Sequence, residues 1–386
     1  MEIKNNFLNL NKSKWKPTKL GDLALEILKR VNNPSELMYD RFVGLDNFVS
    51  EDIVIKNWET TKNLKSAAKE FKTGDILFAR RNAYLRRASL VNFNGCCSGD
   101  AFVLRENHKK IVPGFLAFLV NSNQLWDYAI TNAAGTMSKR VKWRDLSEYE
   151  LLLPPKNEQE KLIKLLWSIN KVIDSEKKIE DNFKIVLLAY LKKIFSKNNK
   201  REYLIDLCVD QPKYGANTPA SAFDENVRFL RITDIGQFGE LKDKKVSAKI
   251  HNDNYLLEKG DFLLARTADT GRSYFYKEED GKCTYAGYLI RFKLDNSKIL
   301  PEYLYYFTQT QEFKNWIRET TRTGTLGNIN AKEFSKLKIP VIKIGDQRKT
   351  ILETSKLYNI LKDINKKINL SKSLQKNLIN QIFNAI

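Results

Sequence analysis

Histidine and cysteine are scarce in this sequence, and the sites that depend on them are excluded with them. The 386 residues include two histidines, His108 and His251, which argues against a histidine-rich metal site or a histidine-dependent catalytic triad. Four cysteines cannot form a disulfide framework in a chain of this length, and no two have Cys-x-x-Cys zinc spacing. They are Cys96, Cys97, Cys208 and Cys283. We expect reduced thiols, no bound metal and no cofactor.

Long apolar runs and nucleotide-binding motifs are also missing. No stretch approaches the roughly 18 consecutive apolar residues of a membrane span, and the first residues lack the apolar core of a secretory signal. We therefore expect a cytoplasmic protein that does not contact a membrane. Neither a phosphate loop nor a Gly-rich dinucleotide fingerprint occurs. The sequence predicts no catalytic residue.

Acidic residues are too few to balance the basic ones. The chain has 66 Lys and Arg residues against 46 Asp and Glu residues, which gives a net charge of +20. Such an excess favours a polyanionic partner, with nucleic acid first. A general bias towards lysine would explain lysine in place of arginine, but it would not explain the shortage of carboxylates.

The chain contains an internal duplication. Gly74 opens an apolar run that closes at Arg80, and Gly260 opens a matching run that closes at Arg266, 186 positions later. Further landmarks recur in the same order at separations of 184 to 189 positions: Asp22 and Asp206, Gly135 and Gly324, Pro154 and Pro340, Gln159 and Gln347, and Phe195 and Phe383. These matches predict two tandem copies, the second starting near Arg201.

Each copy predicts a mixed segment of short strands and helices followed by one long helix. Residues 75–80 and 261–266 are short apolar runs typical of buried strands. Residues 113–121 and 301–309 begin with proline, which suits the first turn of a helix, and then show helical spacing. Residues 158–195 predict a helix about 57 Å long at 1.5 Å per residue.

Heptad spacing predicts which face of each long helix is buried. The first seam is Leu165, Ile169, Val172, Glu176, Ile179, Phe183, Val186 and Tyr190. The second is Leu357, Leu361, Ile364, Ile368, Ser371, Gln375, Leu378 and Ile382. An apolar seam must be buried, and the helix of the other copy is the nearest candidate, which predicts an intramolecular coiled coil. The alternative is that each helix packs on its own domain.

Basic and polar loops at matched places in the two copies are the candidate nucleic-acid contacts. Arginine and asparagine read base edges, and arginine, lysine and backbone amides of small residues bind phosphate. The candidate DNA-binding residues are Arg80, Arg81, Asn82, Tyr84, Arg86, Arg87, Thr136, Ser138, Lys139, Arg140, Tyr214, Asn217, Thr218, Arg266, Thr267, Thr270, Arg272, Thr325 and Asn328. A solvated hairpin or a tight turn is the alternative for each loop.

The sequence resembles the specificity subunits of type I restriction–modification systems. The resemblance rests on the Gly-Asp strand entry that ends at Arg80, the Gly-Thr loop at Gly135, and residues 153–160, where a Pro-Pro pair and a Glu-Gln pair open the long helix. It covers essentially the whole chain in the family's order. The second copy departs from the pattern, since Val341 replaces the second proline and Asp346 replaces the glutamate.

This resemblance implies an α+β fold with two mixed α/β target-recognition domains and two long helices in an antiparallel coiled coil, arranged with pseudo-twofold symmetry. It implies that each domain reads one half of a bipartite, asymmetric site in double-stranded DNA and that the helices set the unread spacer. Two methyltransferase subunits would dock on the helices, and restriction subunits would join the complex. S-adenosylmethionine, ATP and Mg²⁺ would belong to those partners.

The implied domain boundaries follow the duplication. Residues 1–154 and 199–342 would form the two target-recognition domains, and residues 155–198 and 343–386 the two helical spacers. By resemblance this chain would be the non-catalytic reader of the complex, with no catalytic or metal-binding residue of its own.

Two other functions stay open at this point. A nuclease or methyltransferase with a diverged site would be active as the isolated chain and would need a carboxylate or Asp-Pro-Pro cluster that we do not find. A basic scaffold for RNA or acidic protein would bind without sequence preference and with steep salt dependence. Within the favoured interpretation, the chain could also serve a related system whose partner fuses nuclease and methylase.

Overall fold

A computed structural model describes residues 8–36, 39–135, 138–196, 200–323 and 327–383. The chain divides into two compact units: Met1–Lys177 with Lys367–Ile386 form unit 1, and Lys178–Lys366 form unit 2. Each long helix therefore begins in one unit and ends in the other. The four-part division expected from the resemblance stays a prediction about function.

The β-strands of unit 1 are short. They are β1 (Lys16–Lys19), β2 (Ala24–Glu26), β3 (Arg30–Val31), β4 (Arg41–Val43), β5 (Glu59–Thr60), β6 (Ala68–Phe71), β7 (Ile76–Ala79), β8 (Ala88–Leu90), β9 (Gly95–Cys97), β10 (Ala101–Glu106) and β11 (Glu150–Leu153). One antiparallel sheet has the order β2-β10-β7-β8, and a second has the order β3-β6-β9-β4-β5, in which β4 and β9 run parallel. β1 pairs with β11.

The β-strands of unit 2 repeat the central part of this arrangement. They are β12 (Arg201–Tyr203), β13 (Lys213–Tyr214), β14 (Ala220–Ser221), β15 (Arg228–Leu230), β16 (Ser247–Ala248), β17 (Asp261–Ala265), β18 (Ser273–Phe275), β19 (Cys283–Tyr285), β20 (Leu289–Lys293) and β21 (Lys338–Pro340). The order β13-β20-β17-β18 matches β2-β10-β7-β8, and β12 pairs with β21 as β1 does with β11. β14 pairs with β16, and β15 with β19.

The helices confirm most of the sequence prediction. They are α1 (Leu20–Leu23), α2 (Phe115–Leu119), α3 (Asn123–Thr131), α4 (Trp143–Leu146), α5 (Lys156–Ser196), α6 (Pro301–Thr308), α7 (Gln311–Thr323), α8 (Ala331–Ser335) and α9 (Ile344–Ile382). The helix predicted over residues 113–121 is shorter than expected, because Gly114 takes a left-handed conformation with φ of 82° and the helix starts after it. No helix among the described residues has the length and apolar character needed to cross a membrane.

Matched buried side chains show that the duplication extends to atomic detail. Gln159 near the start of α5 accepts a hydrogen bond from Val112 N–H at 3.0 Å, and Gln347 near the start of α9 accepts one from Leu300 N–H at 2.9 Å. Each glutamine also donates through Nε2 to the carbonyl five residues earlier, at 2.8 Å in both copies. Both side chains are buried, so each clamps the start of a long helix onto the preceding domain.

The far end of each long helix packs into the core of the unit that it enters. In unit 1, Phe383 meets Phe115 edge-on with ring centroids 5.2 Å apart. In unit 2, Phe195 lies 5.0 Å from Tyr303. Both phenylalanines are about 1% exposed. Because Phe195 and Phe383 are matched landmarks of the duplication, each copy's helix completes the other copy's core.

Within each unit, the segments of α5 and α9 run antiparallel. In unit 1, Asn170 is hydrogen-bonded to Gln375 and Glu176 lies 3.7 Å from Lys367. In unit 2, the contact of Glu180 with Asn365 and that of Tyr190 with Glu353 have the same sense. A coiled coil along the whole length of both helices stays a prediction.

The seam predicted for α5 is wrong at alternate positions. Leu165, Val172, Ile179 and Val186 are 37%, 50%, 55% and 58% exposed, respectively, whereas the predicted seam residue Glu176 is buried. Other buried positions lie one residue beyond the predicted ones, at Leu166, Asn170, Ile173, Leu187 and Leu191. The apolar stripe looked like the seam because the true seam contains polar residues, which meet polar partners on α9. The seam predicted for α9 is better placed, with Leu361, Ile368, Gln375, Leu378 and Ile382 buried.

Candidate nucleic-acid interface

In unit 1 the two candidate loops lie side by side. The carbonyl of Arg80, just after β7, accepts a hydrogen bond from Val141 N–H at 2.8 Å, and Arg81 forms a β-bridge with Arg140. The side chains continue the pairing, since Arg81 Nε donates to Ser138 Oγ at 2.8 Å. The two loops, which are far apart in the sequence, therefore form one basic surface in the fold.

Asp100 holds two arginines of this surface. Arg140 Nε donates to Asp100 Oδ1 at 3.0 Å, and Arg81 Nη1 lies 3.7 Å from Asp100 Oδ2. The side chains of Arg81 and Arg140 are 44% and 46% exposed, so their other N–H groups face solvent. Arg140, which is held through Nε, can use its Nη1 and Nη2 groups for bidentate contact with a guanine edge or a phosphate.

The tip of the first loop carries the polar side chains of Asn82 and Tyr84. Asn82 is left-handed, with φ of 54°, and its N–H donates to the carbonyl of the exposed Lys139 at 3.4 Å. Tyr84 is largely exposed. Arg80 is half-buried and lies 5.3 Å over the ring of Phe102, which fixes the base of the loop.

Arg86 is directed towards α3 rather than into solvent. Its Nη1 donates to Asn123 Oδ1 at 2.7 Å, and its Nη2 donates to Asp127 Oδ1 at 2.8 Å. The residue has a left-handed backbone with φ of 48°. These contacts tie the loop to the helix, and a direct contact of Arg86 with DNA stays a prediction.

Arg87 and Arg272 occupy matched positions and make matched contacts. Arg87 Nη1 donates to the carbonyl of Leu45 at 2.8 Å, and Arg272 Nη1 donates to the carbonyl of Ile235 at 2.9 Å. Each therefore anchors the return of its loop on a neighbouring turn of the same unit. Their direct contact with DNA stays a prediction that competes with this structural role.

Unit 2 repeats the pairing of the loops with different side chains. The carbonyl of Arg266, after β17, accepts a hydrogen bond from Ile329 N–H at 2.9 Å. Arg266 Nε donates to Asn328 Oδ1 at 3.1 Å, and Thr270 Oγ1 donates to the carbonyl of Gly327 at 2.8 Å. Three of the predicted unit 2 residues, Arg266, Thr270 and Asn328, therefore lie together, and Tyr214 is the fourth member of this cluster.

Tyr214 brings the third predicted loop to this cluster. The guanidinium of Arg266 lies 4.9 Å over the Tyr214 ring, and Tyr214 Oη accepts a hydrogen bond from Ala331 N–H at 3.0 Å. Its neighbours are placed differently: Thr218 Oγ1 accepts from Ile250 N–H at 3.2 Å, and Asn217 is exposed.

The remaining predicted residues are Thr267, Thr136 and Thr325. Thr267 is half-buried beside Arg266. Thr136 and Thr325 lie outside the described residues.

One matched position that was not predicted from the sequence flanks both clusters. Arg80 N–H donates to the carbonyl of Asp100 at 3.0 Å, and Arg266 N–H donates to the carbonyl of Tyr288 at 3.0 Å. Unit 1 therefore has an arginine-orienting carboxylate where unit 2 has an exposed aromatic ring. The duplication could have indicated this position, because Asp100 and Tyr288 are 188 positions apart, within the range of the landmark separations.

Three of the four cysteines are buried. Burial raises the pKa of the Cys96 thiol to about 11 and those of Cys97 and Cys283 to about 12, which keeps these thiols protonated and unreactive near neutral pH. Over the described ranges, no group of three His, Cys, Asp or Glu side chains is placed to hold a metal ion.

Comparison with known proteins identifies the family. The model of the "Type I restriction modification DNA specificity domain" matches residues 12–203 and, a second time, residues 211–376. The chain belongs to this family. The two matches follow the two copies of the duplication, so the expected tandem arrangement of a type I specificity chain is confirmed.

Curated relatives of this specificity chain are similar over part of their length. The type I restriction enzyme EcoDI specificity subunit of Escherichia coli is 25% identical over 174 residues, which are 45% of this chain and 38% of that one. The HindI specificity subunit of Haemophilus influenzae is 23% identical over 192 residues, 47% of this chain and 41% of that one. The matched part is thus about two fifths of the curated relatives.

Solved structures share the fold over nearly the full chain. A chain from a study of complex assembly and conformational transition of the type I restriction–modification system has a TM-score of 0.57 at 18% identity, covering 95% of this chain and 97% of that one. The type I S subunit of M. genitalium has a TM-score of 0.52 at 15% identity, covering 98% and 99%. At such identities the likeness concerns the fold alone.

Proposed function

We propose that this chain reads DNA sequence for a type I restriction–modification complex, with each unit contacting one half of a bipartite, asymmetric site. One observation carries the proposal: in both units an arginine-bearing strand end is hydrogen-bonded to a polar loop in the same backbone geometry. Unit 1 places Arg81, Ser138 and Arg140 there, whereas unit 2 places Arg266 and Asn328. Arg140 and Asn328 occupy matched positions, 188 residues apart, with different side chains, which suits two different half-sites.

The charge of the chain supports the same proposal through affinity. A net charge of +20 attracts DNA phosphates at every sequence and supplies salt-dependent binding. The oriented arginines, Asn328 and the tyrosines add contacts to base edges, which phosphate contacts cannot supply. In this proposal the catalytic steps of modification and cleavage belong to partner subunits, with S-adenosylmethionine, ATP and Mg²⁺ bound there.

The exposed stripe of α5 is the proposed docking face for the methyltransferase subunits. Leu165, Val172, Ile179 and Val186 recur every seven residues on this helix, and each is more than one third exposed. Residues seven apart lie on nearly the same side of an α-helix, and an exposed apolar stripe is typical of a protein-binding surface. Aspartate at Val172 and Ile179 should abolish copurification of the methyltransferase, whereas aspartate at the neighbouring exposed Lys178 should not.

The helices are proposed to set the length of the unread spacer. Removing one heptad from both, residues 177–183 and 362–368, shortens each helix by about 10.5 Å. At 3.4 Å per base pair this is about three base pairs. The recognised half-sites should stay the same while the gap between them shortens. A deletion that changed the half-sites instead would contradict the separation of reading from spacing.

The test of the proposed function is binding selection from a random duplex library with the full chain and its methyltransferase partner. The expected result is a split motif of two different short blocks with a fixed gap. Salt-sensitive binding without any motif would overturn the proposal in favour of a non-specific basic scaffold. Activity of the isolated chain on DNA would overturn its non-catalytic role.

A further inference from the structure

Unit 2 has an open cleft beside its reading cluster. The cleft has a volume of about 570 Å³ and is bounded by the loop at residues 269–273, the turn at residues 236–239, the end of α6 and the first turns of α7. Thr270, which donates to the carbonyl of Gly327 in the reading cluster, also lines the cleft. The cleft is therefore continuous with the surface proposed to read the second half-site.

Helix α7 presents opposite charges on its two sides. Lys314 and Arg318 line the cleft, together with the amide side chains that begin the helix. Glu312 and Glu319 line a separate groove on the other side, where Glu312 pairs with Arg201. One acidic group borders the cleft, Asp269, and it is paired with Arg272. The cleft side of the helix therefore carries unbalanced positive charge.

The matched region of unit 1 is filled by side chains. Matching hydrogen bonds relate the residues of α3 to those of α7. Trp126 N–H donates to Ser122 O at 3.3 Å, and Lys314 N–H donates to Thr310 O at 3.2 Å. Trp126, at the position of Lys314, is about 1% exposed and stacks on Phe78 with centroids 4.4 Å apart.

The loop that faces this helix differs in the same way. Arg86 of unit 1 reaches α3, whereas Gly271 of unit 2 precedes Arg272 at the matched position and carries no side chain. At Gly271 a Cβ atom would come within 2.8 Å of Ile317, and φ is 87°, so the position favours glycine. The second copy therefore has no arginine side chain across this part of the cleft, and Ile317 packs against the glycine instead.

We propose that this cleft binds the DNA backbone, with Lys314 and Arg318 contacting phosphodiester groups next to the bases read by the Arg266 cluster. The inference rests on the proposed DNA-reading function and adds an anchoring site to it. Two cations on one helix face, a threonine hydroxyl and amide donors suit phosphate oxygens. DNA is favoured over an acidic protein because Thr270 belongs to both the cleft and the reading cluster.

The experiment compares two double variants of the full chain that lose the same charge. Lys314→Ala with Arg318→Ala removes the two cations that α7 contributes to the cleft, and Lys336→Ala with Lys338→Ala is the control in the opposite groove. The dissociation constant for a fixed 40-base-pair duplex is measured between 50 and 200 mM salt. Each lost phosphate contact lowers the slope of log K against log salt by about 0.9. Raising the salt concentration over this range should therefore weaken DNA binding by the cleft variant about 12-fold less than DNA binding by the wild type.

The outcomes separate this inference from the proposed function. A reduced slope in the cleft variant, with the control and a Lys314→Arg plus Arg318→Lys variant close to wild type, supports the anchoring site even if no split motif is selected. An unchanged slope overturns it even if a split motif is found. A loss confined to particular base pairs would make these residues base readers and would also overturn it, as would loss of a protein partner with DNA binding intact.

Discussion

The central sheets of units 1 and 2 have matching strand orders and their loops pair in the same way, yet the units differ at the helix beside the reading loop. Unit 1 buries Trp126 against Phe78 and spans the gap with Arg86, whereas unit 2 has Lys314 and Gly271 at these places. The first copy gains packing energy there, and the second keeps a cationic cleft. A duplicated backbone can thus be stabilised in one copy and left open for a ligand in the other.

A second difference concerns the matched carboxylates at the strand entries. Asp75 accepts two hydrogen bonds from Arg105, at 2.7 and 2.8 Å. Asp261 lies 3.6 Å from Arg291, and its Oδ1 has no hydrogen-bond partner among the described residues. Burial of Asp261 raises its pKa above the usual 3.8. The aspartate and arginine are therefore closely hydrogen-bonded in unit 1, whereas in unit 2 the buried carboxylate of the aspartate is only partly compensated by the arginine.

The largest expected effect separates the two helix positions. Trp126→Ala should lower the free energy of unfolding of unit 1 by about 3–5 kcal/mol, since it removes a buried indole. Lys314→Ala should change that of unit 2 by less than about 0.5 kcal/mol, because the side chain is exposed. Hydrogen exchange followed by mass spectrometry resolves the two units. Equal losses at the two positions would break the comparison.

The reading clusters should act on separate half-sites. Arg81→Ala should cost about 1–3 kcal/mol at one position of the first block, and Arg266→Ala the same at one position of the second. Binding selection repeated with each variant measures the change. Arg30→Ala, at an exposed arginine outside the clusters, is the control. If either variant weakened all sequences uniformly, that arginine would be a phosphate contact.

The matched carboxylates, Asp75 and Asp261, should contribute differently to the free energy of unfolding. Asp75→Asn should destabilise unit 1 by about 1.5 kcal/mol, because it removes charged hydrogen bonds to Arg105. Asp261→Asn should cost unit 2 less than half as much. Denaturant unfolding of both variants measures this, and a larger loss for Asp261→Asn would reverse the ranking.

The pH dependence of Asp261 sharpens the same comparison. Since its folded pKa is raised, the folded state holds the proton more tightly than the unfolded state, and its contribution to stability falls as pH rises above about 3.8. The stability of Asp261→Asn relative to wild type should therefore improve from pH 3.5 to pH 7. A constant difference across this range would show that the carboxyl titrates normally.

Arg86 tests the contact between the first loop and α3. Arg86→Gly loses the contacts with Asn123 and Asp127, but glycine relieves a left-handed backbone, which costs a non-glycine residue roughly 1–2 kcal/mol. The net change should be within about 1 kcal/mol, with faster hydrogen exchange in α3. A loss of more than about 2 kcal/mol would mean that Arg86 is a structural support of unit 1.

Much of the fold could be predicted because it is encoded locally. The Gly-Asp strand entries, the proline that starts α6 and the landmarks of the duplication are short-range signals, and the structure confirms the elements that they predict. The seam of α5 could not be placed by the same means. Its buried Asn170 is satisfied by Asp174 on the same helix and by Gln375, which is 205 positions away.

The candidate site divides in the same way. The positions of Arg81, Arg140, Arg266 and Asn328 at matched polar loops were visible in the sequence. Their partners were not, because Asp100 reaches Arg140 across 40 positions and the ring of Tyr214 reaches Arg266 across the sheet.

The sequence alone determined that there are two copies, what order of elements each has, and that polar, basic loops follow the same strand in both. The tertiary structure decided which loops meet, which face of α5 stays exposed and which unit keeps an open cleft. The physical reason is that charge and local periodicity belong to neighbouring residues, whereas burial and hydrogen-bond satisfaction depend on residues that only the fold brings into contact.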